Sequence, residues 1–160
     1  MISQVLPTRD GRGLHCRLLG PLDAAPTVVF EADLAETCSS WYPVQTLVSQ
    51  WVPTVSYDRS GLGLSAADPS PLTLSHMADD LGDLLAQLDG PFVLVGQGWG
   101  GLIAGLAAAP SPLRVSRLLL VDPPDWAVRH PVVPTTVVPA GHLVSAIHTQ
   151  VTAARSPVPQ

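Results

Sequence analysis

Apolar residues run along this chain in two rhythms. The short unbroken runs at 27–31 (TVVFE), 92–95 (FVLV) and 118–121 (LLLV) have strand length, and Pro, Gly or charge bounds them. Such runs read as strands buried on both faces. Residues 13–19 (GLHCRLL), 52–57 (VPTVSY) and 135–138 (TTVV) read as further strands, with Pro53 at the start of its own. Helical spacing lies between them. Leu74, Met77, Ala78, Leu81, Leu84, Leu85 and Leu88 recur at i, i+3/i+4 and i+7 and predict a helix over 73–88, capped by Thr73. Asp79, Asp80 and Asp83 fall on its polar side and read as a solvated face. Further helices are predicted over 39–50, with Pro43 in the first turn, over 99–109, stopped by Pro110 and Pro112, and over 143–155. The alternation predicts one α/β domain over 1–155: a doubly wound, mostly parallel sheet with helices on both faces, followed by a frayed tail at 156–160.

Composition narrows the functional classes. Hydrophobic residues make up 46% of the 160 positions, which excludes a disordered chain. A formal net charge of −5 without a basic stripe argues against nucleic acid. Every apolar run is interrupted before the ~20 residues of a membrane span, so no membrane partner is expected. The start, MISQVLPTRDGR, lacks a basic segment followed by an apolar one, so no signal peptide is expected and the cytoplasm is the expected location. Cys16 and Cys38 read as free thiols. His15, His76, His130, His142 and His148 form no H-x-x-x-H or H-E-x-x-H pattern, so neither a metal nor another cofactor is expected.

The candidate chemistry centres on FVLVGQGWGG, residues 92–101. Gly96, Gly98 and Gly101 satisfy G-x-G-x-x-G after a strand, and Asp122 ends the next strand, where a dinucleotide-binding unit places an acid for a ribose hydroxyl. The same letters fit the G-x-S-x-G nucleophile elbow, with Gly98 where serine would stand. Trp99 is bulky beside a pyrophosphate, and Pro123 and Pro124 stiffen the loop that would approach the ribose.

More of the chain follows the second pattern. PTVVFEADLAETCSSW, SYDRSGLGLS, MADDLGDLL, FVLVGQGWGG, SRLLLVDP and AGHLV occur in the order of an α/β-hydrolase, and the chain resembles the esterase-like serine hydrolases of that family. The resemblance implies hydrolysis of an ester or similar acyl bond by Ser, His and an acid, without a cofactor. His142 in AGHLV matches the catalytic histidine, and the N–H groups of Leu34 and Trp99 align with the oxyanion donors. Three departures stand against efficient catalysis. Gly98 carries no oxygen, so no acyl-enzyme forms there. Asp33 and Glu36 bring negative charge to the oxyanion loop, unless both point to water. The cap, and a strand whose following loop carries the acid, are missing between Pro124 and Thr135. Asp122 or Asp125 is then the candidate displaced acid. Ser60, Ser65 and Cys38 read as structural. The chain is therefore expected to be a catalytically impaired relative that binds a small hydrophobic, ester-like ligand or a partner. A slow hydrolase using His142-activated water, or a dinucleotide-binding protein using Gly96, Gly98, Gly101 and Asp122, are the alternatives.

Overall fold

The computed structural model describes residues 1–127 and 132–156. His130 and the end of the expected tail lie outside the described residues. The elements in chain order are β1 (Ile2–Pro7), β2 (Gly13–Leu19), β3 (Thr27–Glu31), a 3₁₀ turn (Cys38–Trp41), α1 (Tyr42–Val48), β4 (Thr54–Tyr57), α2 (Leu74–Ala86) and β5 (Phe92–Gln97). They continue with α3 (Trp99–Ala108), β6 (Val115–Val121), a 3₁₀ turn (Asp125–Ala127), β7 (Thr135–Val138), a 3₁₀ turn (Ala140–His142) and α4 (Leu143–Arg155). The strands form one sheet in the order β1-β2-β4-β3-β5-β6-β7. Pairs from β4 to β7 are parallel, while β1 and β2 add an antiparallel edge.

The apolar strands are explained by two cores, one on each face. Val29, Val55, Leu94, Leu118 and Leu120 face the same core as Leu81, Leu84 and Leu85 of α2 and Ile103 and Ala104 of α3. Val28, Phe30, Val93, Val95, Leu119 and Val121 face the other, with Val48 of α1 and Leu143, Ile147 and Val151 of α4. Successive strand residues point to opposite faces, so a strand covered on both sides must be apolar throughout. Thr73 caps α2 by accepting from His76 N–H at 3.1 Å. On its polar side Asp79 is exposed, but Asp80 is buried against Arg12, a correction to the expectation of a fully solvated face.

One strand differs from the sequence expectation. Strand β1 is absent from it, because an edge strand with Ile2 and Val5 exposed shows little apolar signal. Strand β7 pairs directly with β6, Leu118 opposite Thr135 through Val121 opposite Val138. No intervening strand fits between them. The chain turns from β3 through α1 to β4 on one side and from β5 through α3 to β6 on the other. The crevice between the ends of β3 and β5 is thus the switch point where doubly wound sheets place their sites.

Candidate active site

Gly98 is the single residue between β5 and α3, at φ +54° and ψ −122°. That conformation is costly for a residue with a Cβ and open to glycine. Gly98 N–H donates to Val121 C=O at 2.9 Å, tying the turn to β6. The neighbouring glycines serve packing. A Cβ on Gly96 would lie 2.5 Å from Gly101 Cα, and one on Gly100 would lie 2.3 Å from Ala32 C=O oxygen. The start of α3 therefore rests directly on the ends of β3 and β5, and only glycine fits between.

The loop after β3 turns a carboxylate into this elbow. Asp33 Oδ1 accepts from Leu34 N–H at 2.8 Å and from Trp99 N–H at 2.9 Å. These are the two donors that the sequence aligns with an oxyanion hole, and they converge on one oxygen of the chain's own aspartate. A Cβ on Gly98 would lie 2.4 Å from Asp33 Oδ2 and 2.5 Å from its Cγ. The half-buried Asp33 side chain thus fills the space that a side chain at position 98 would enter. Glu36 is exposed, so of the two acids only it points to water.

His142 lies at the N-terminus of α4, exposed, with its N–H on Pro139 C=O at 3.0 Å. Its carbonyl accepts from Ser145 Oγ at 2.9 Å. Among the described residues its ring has no hydrogen-bond partner and no carboxylate within ion-pair distance. Asp122 follows β6 at φ +45°, exposed, with its N–H on Val138 C=O at 3.3 Å. Asp125 is exposed in the 3₁₀ turn. Neither acid reaches His142 as a hydrogen-bonded pair.

Residues 28–159 match the alpha/beta hydrolase family model. The chain belongs to that family. A protein of Yersinia enterocolitica named "Putative carbamate hydrolase RutD" is 38% identical over 107 residues, covering 66% of this chain and 38% of the relative. A RutD of Caulobacter vibrioides is 33% identical over 114 residues, 69% of this chain and 42% of its own. N-formylmaleamic acid deformylase of Pseudomonas putida superposes with a TM-score of 0.68 at 27% identity, over 77% of this chain and 47% of that one. The chain thus spans about two fifths of the length of the curated relatives it matches. Family membership and the packing roles of Gly96 and Gly101 leave the dinucleotide reading without support.

The D-R-x-G-x-G-x-S segment, Asp58 to Ser65, is the frame of the site. Arg59 donates to Ala32 C=O at 2.7 Å and Asp33 C=O at 2.6 Å, and its guanidinium pairs with buried Glu31, which Tyr57 Oη also reaches. Burial pushes the Glu31 carboxyl up, against the pull of the Arg59 charge. Asp58 accepts from Cys38 N–H at 2.8 Å and Leu64 N–H at 3.1 Å and pairs with His15 Nδ1 at 2.9 Å. Gly63, at φ +50°, is needed because a Cβ there would lie 2.2 Å from Asp58 Oδ2. Burial pushes the Cys38 thiol up to about 11, which removes it as a nucleophile. Ser65 Oγ accepts from His15 N–H at 2.8 Å, and Ser60 Oγ donates to Asp80 at 3.3 Å, so both hydroxyls are engaged in the framework.

Among the described residues, two groups bring potential metal ligands within 4.8 Å: His15, Cys38 and Asp58, and Asp68, His76 and Asp80. The members of the first are far apart in sequence, whereas His76 and Asp80 of the second lie one turn apart on α2. In the second, Arg12 sits between the acids, 2.8 Å from Asp68 and 2.7 Å from Asp80, where a cation would sit. In the first, both ring nitrogens of His15 and both Asp58 carboxylate oxygens are committed to internal hydrogen bonds. His15 and His76 are paired with Asp58 and Asp68.

Proposed function

We propose that this chain is a catalytically silent α/β-hydrolase homologue that uses its elbow crevice to bind rather than to react. One observation carries the reading: Asp33 Oδ1 takes both N–H donors of the elbow while Gly98 offers no nucleophile. Acyl transfer by the family route needs a nucleophile, donors free for the developing oxyanion, and a base oriented by an acid. Here the first is missing. The second are bonded to a full negative charge, which repels an oxyanion. The third, His142, stands without a carboxylate partner among the described residues.

The carbamate hydrolysis in the name of the Yersinia relative is accordingly not carried over to this chain. The binding site is open. Leu34 and Trp99 are exposed at its rim, and a cleft of about 170 Å³ lined by Leu34, Ala35, Arg59, Leu62, Leu72 and Met77 lies beside the loop. A small, largely apolar ligand related to an ester suits these walls.

The test is a covalent one. The wild-type chain is incubated with a fluorophosphonate probe and with a short-chain chromogenic ester, and intact mass and absorbance are followed. No adduct and no turnover above the rate of buffer are expected. A stoichiometric adduct, or turnover that His142→Ala abolishes, overturns the reading.

A further inference from the structure

The carboxylate that occupies the donors also reverses what the crevice attracts. An elbow of this kind ordinarily presents N–H groups to an anion. In this chain those N–H groups end on Asp33 Oδ1, and among the described residues no donor hydrogen-bonds the second oxygen, Oδ2. The half-buried side chain therefore leaves one carboxylate oxygen for an external partner. Among the described residues, the guanidinium beneath this loop is that of Arg59, which binds the backbone carbonyls of Ala32 and Asp33 and is paired with Glu31, so it does not neutralise that oxygen.

Two indoles stand at the same corner. Trp99, whose N–H is bonded to Asp33, is 36% exposed, and its ring meets the Trp126 ring at 5.1 Å and 71°. Trp126 is 51% exposed. The edge-on arrangement leaves aromatic surface open to solvent, and an aromatic face carries negative potential. Carboxylate and indole faces share one preference: they attract a cation and repel an anion. A hard metal ion is poorly served, since it needs several oxygen ligands and one carboxylate oxygen is offered. A large, weakly hydrated cation with apolar substituents satisfies both the charge and the rings.

We propose that the corner formed by Asp33, Trp99 and Trp126 is a binding site for a small organic cation of the alkylammonium class. The inference rests on the reading above only in taking Asp33 as the resident of the elbow.

The full chain is titrated with benzyltrimethylammonium, with its neutral isostere neopentylbenzene and with 3-phenylpropionate, followed by tryptophan fluorescence and calorimetry. Saturable binding of the ammonium is expected, tighter than the neutral isostere by on the order of fivefold, with the carboxylate weaker still. Asp33→Asn keeps an acceptor for both N–H groups but removes the charge. It is expected to weaken the ammonium by about fivefold and to leave the neutral isostere unchanged. Trp126→Ala, on an exposed turn, is a second variant that does not depend on the elbow, and it is expected to weaken the ammonium comparably. Asp79→Asn, exposed on α2, is expected to bind like wild type. Equal affinity for cation and isostere, unchanged ammonium binding in both Asp33→Asn and Trp126→Ala, or no saturation overturns the proposal. The fluorophosphonate experiment is read separately, so loss of the cation site and loss of the silent-hydrolase reading are distinguishable.

Discussion

Restoring the serine by Gly98→Ser is expected to damage the protein before it helps, and the size of the damage follows from the geometry. The new Cβ would lie 2.4 Å from Asp33 Oδ2, 2.5 Å from Cγ and 2.6 Å from Oδ1, so the carboxylate must leave. Its departure gives up hydrogen bonds to Leu34 and Trp99 N–H, of about 1.5–3 kcal/mol each at full value and less at a half-exposed position where water replaces them. Forcing a side chain to φ +54° adds about 1–3 kcal/mol. A combined cost of about 3 kcal/mol lowers Tm by on the order of 10 °C in a chain of this length. Asp33→Ala alone loses the two bonds and is also destabilised. In Gly98→Ser/Asp33→Ala, however, the collision is gone and only the backbone cost and the vacated bonds remain. The double variant is therefore expected to melt no lower than Gly98→Ser, although Asp33→Ala destabilises the wild type. This sign change is the signature of two residues competing for one space. In the labelling assay the double variant is expected to react with the fluorophosphonate at position 98 faster than Gly98→Ser, since no displaced carboxylate remains beside the site to repel the developing oxyanion. Additive melting temperatures, together with equal labelling of single and double variants, would refute the placement of Asp33.

Three further outcomes test the frame. Arg59→Met strands the buried Glu31 carboxylate and frees two backbone carbonyls, so a loss of about 3–5 kcal/mol in urea unfolding is expected, and a loss below 1 kcal/mol would contradict the role given to Arg59. Gly96→Ala drives a Cβ into the Gly101 backbone at 2.5 Å and is expected to prevent soluble folding, whereas Gly105→Ala, 3.8 Å from Leu118 Cδ2, is expected to be tolerated or to gain about 0.5–1 kcal/mol of helix propensity. For Asp58, burial acts to raise the carboxyl, but the N–H groups of Cys38 and Leu64 and the His15 ring hold it below the usual value. Its contribution is fully present above the ordinary aspartate value of about 4 and is lost as pH falls through the lower folded value. Urea midpoints are thus expected to fall less between pH 7 and pH 3 in Asp58→Asn than in the wild type, and an unchanged acid limb would count against this assignment.

Much of the sheet was legible because its strands are covered on both faces. Val28, Val93, Leu119 and their neighbours have no polar alternation to confuse the pattern, and the α2 stripe is long enough to fix its period. Strand β1 was illegible for the opposite reason: as an exposed edge it buries too little to impose a rhythm. The elbow was legible from its glycines, but the position of Asp33 was not. Residues 33 and 98 are brought together only because β3 and β5 are neighbours in the sheet. A signal did exist, since the two departures from the family pattern, an acid in the oxyanion loop and a glycine at the nucleophile, fall at the ends of adjacent parallel strands. Read as a pair, they describe one exchange of volume and charge. The partnering of His15 and Asp80 was hidden because Asp58 and Arg12 lie more than one element away and no local spacing records it.

The departures at the site are coupled in a definite order. Asp33 can lie across the elbow only if position 98 has no Cβ, because the two cannot share the space. On the proposed reading, a carboxylate lying there occupies both donors, so an oxyanion gains nothing from them and neither a base nor an acid to orient it contributes to a reaction. A missing acid strand is consistent with that, since β7 closes directly on β6 with a complete ladder and no exposed gap in the sheet. The reverse order does not work. Removing the acid strand from an intact serine elbow would leave free donors and a nucleophile, and nothing in that loss would turn Asp33 inward. On this reading the glycine at position 98 is what allows Asp33 its place across the elbow. Reversing it alone is insufficient, because Asp33 and the seat of β7 are parts of the packed structure.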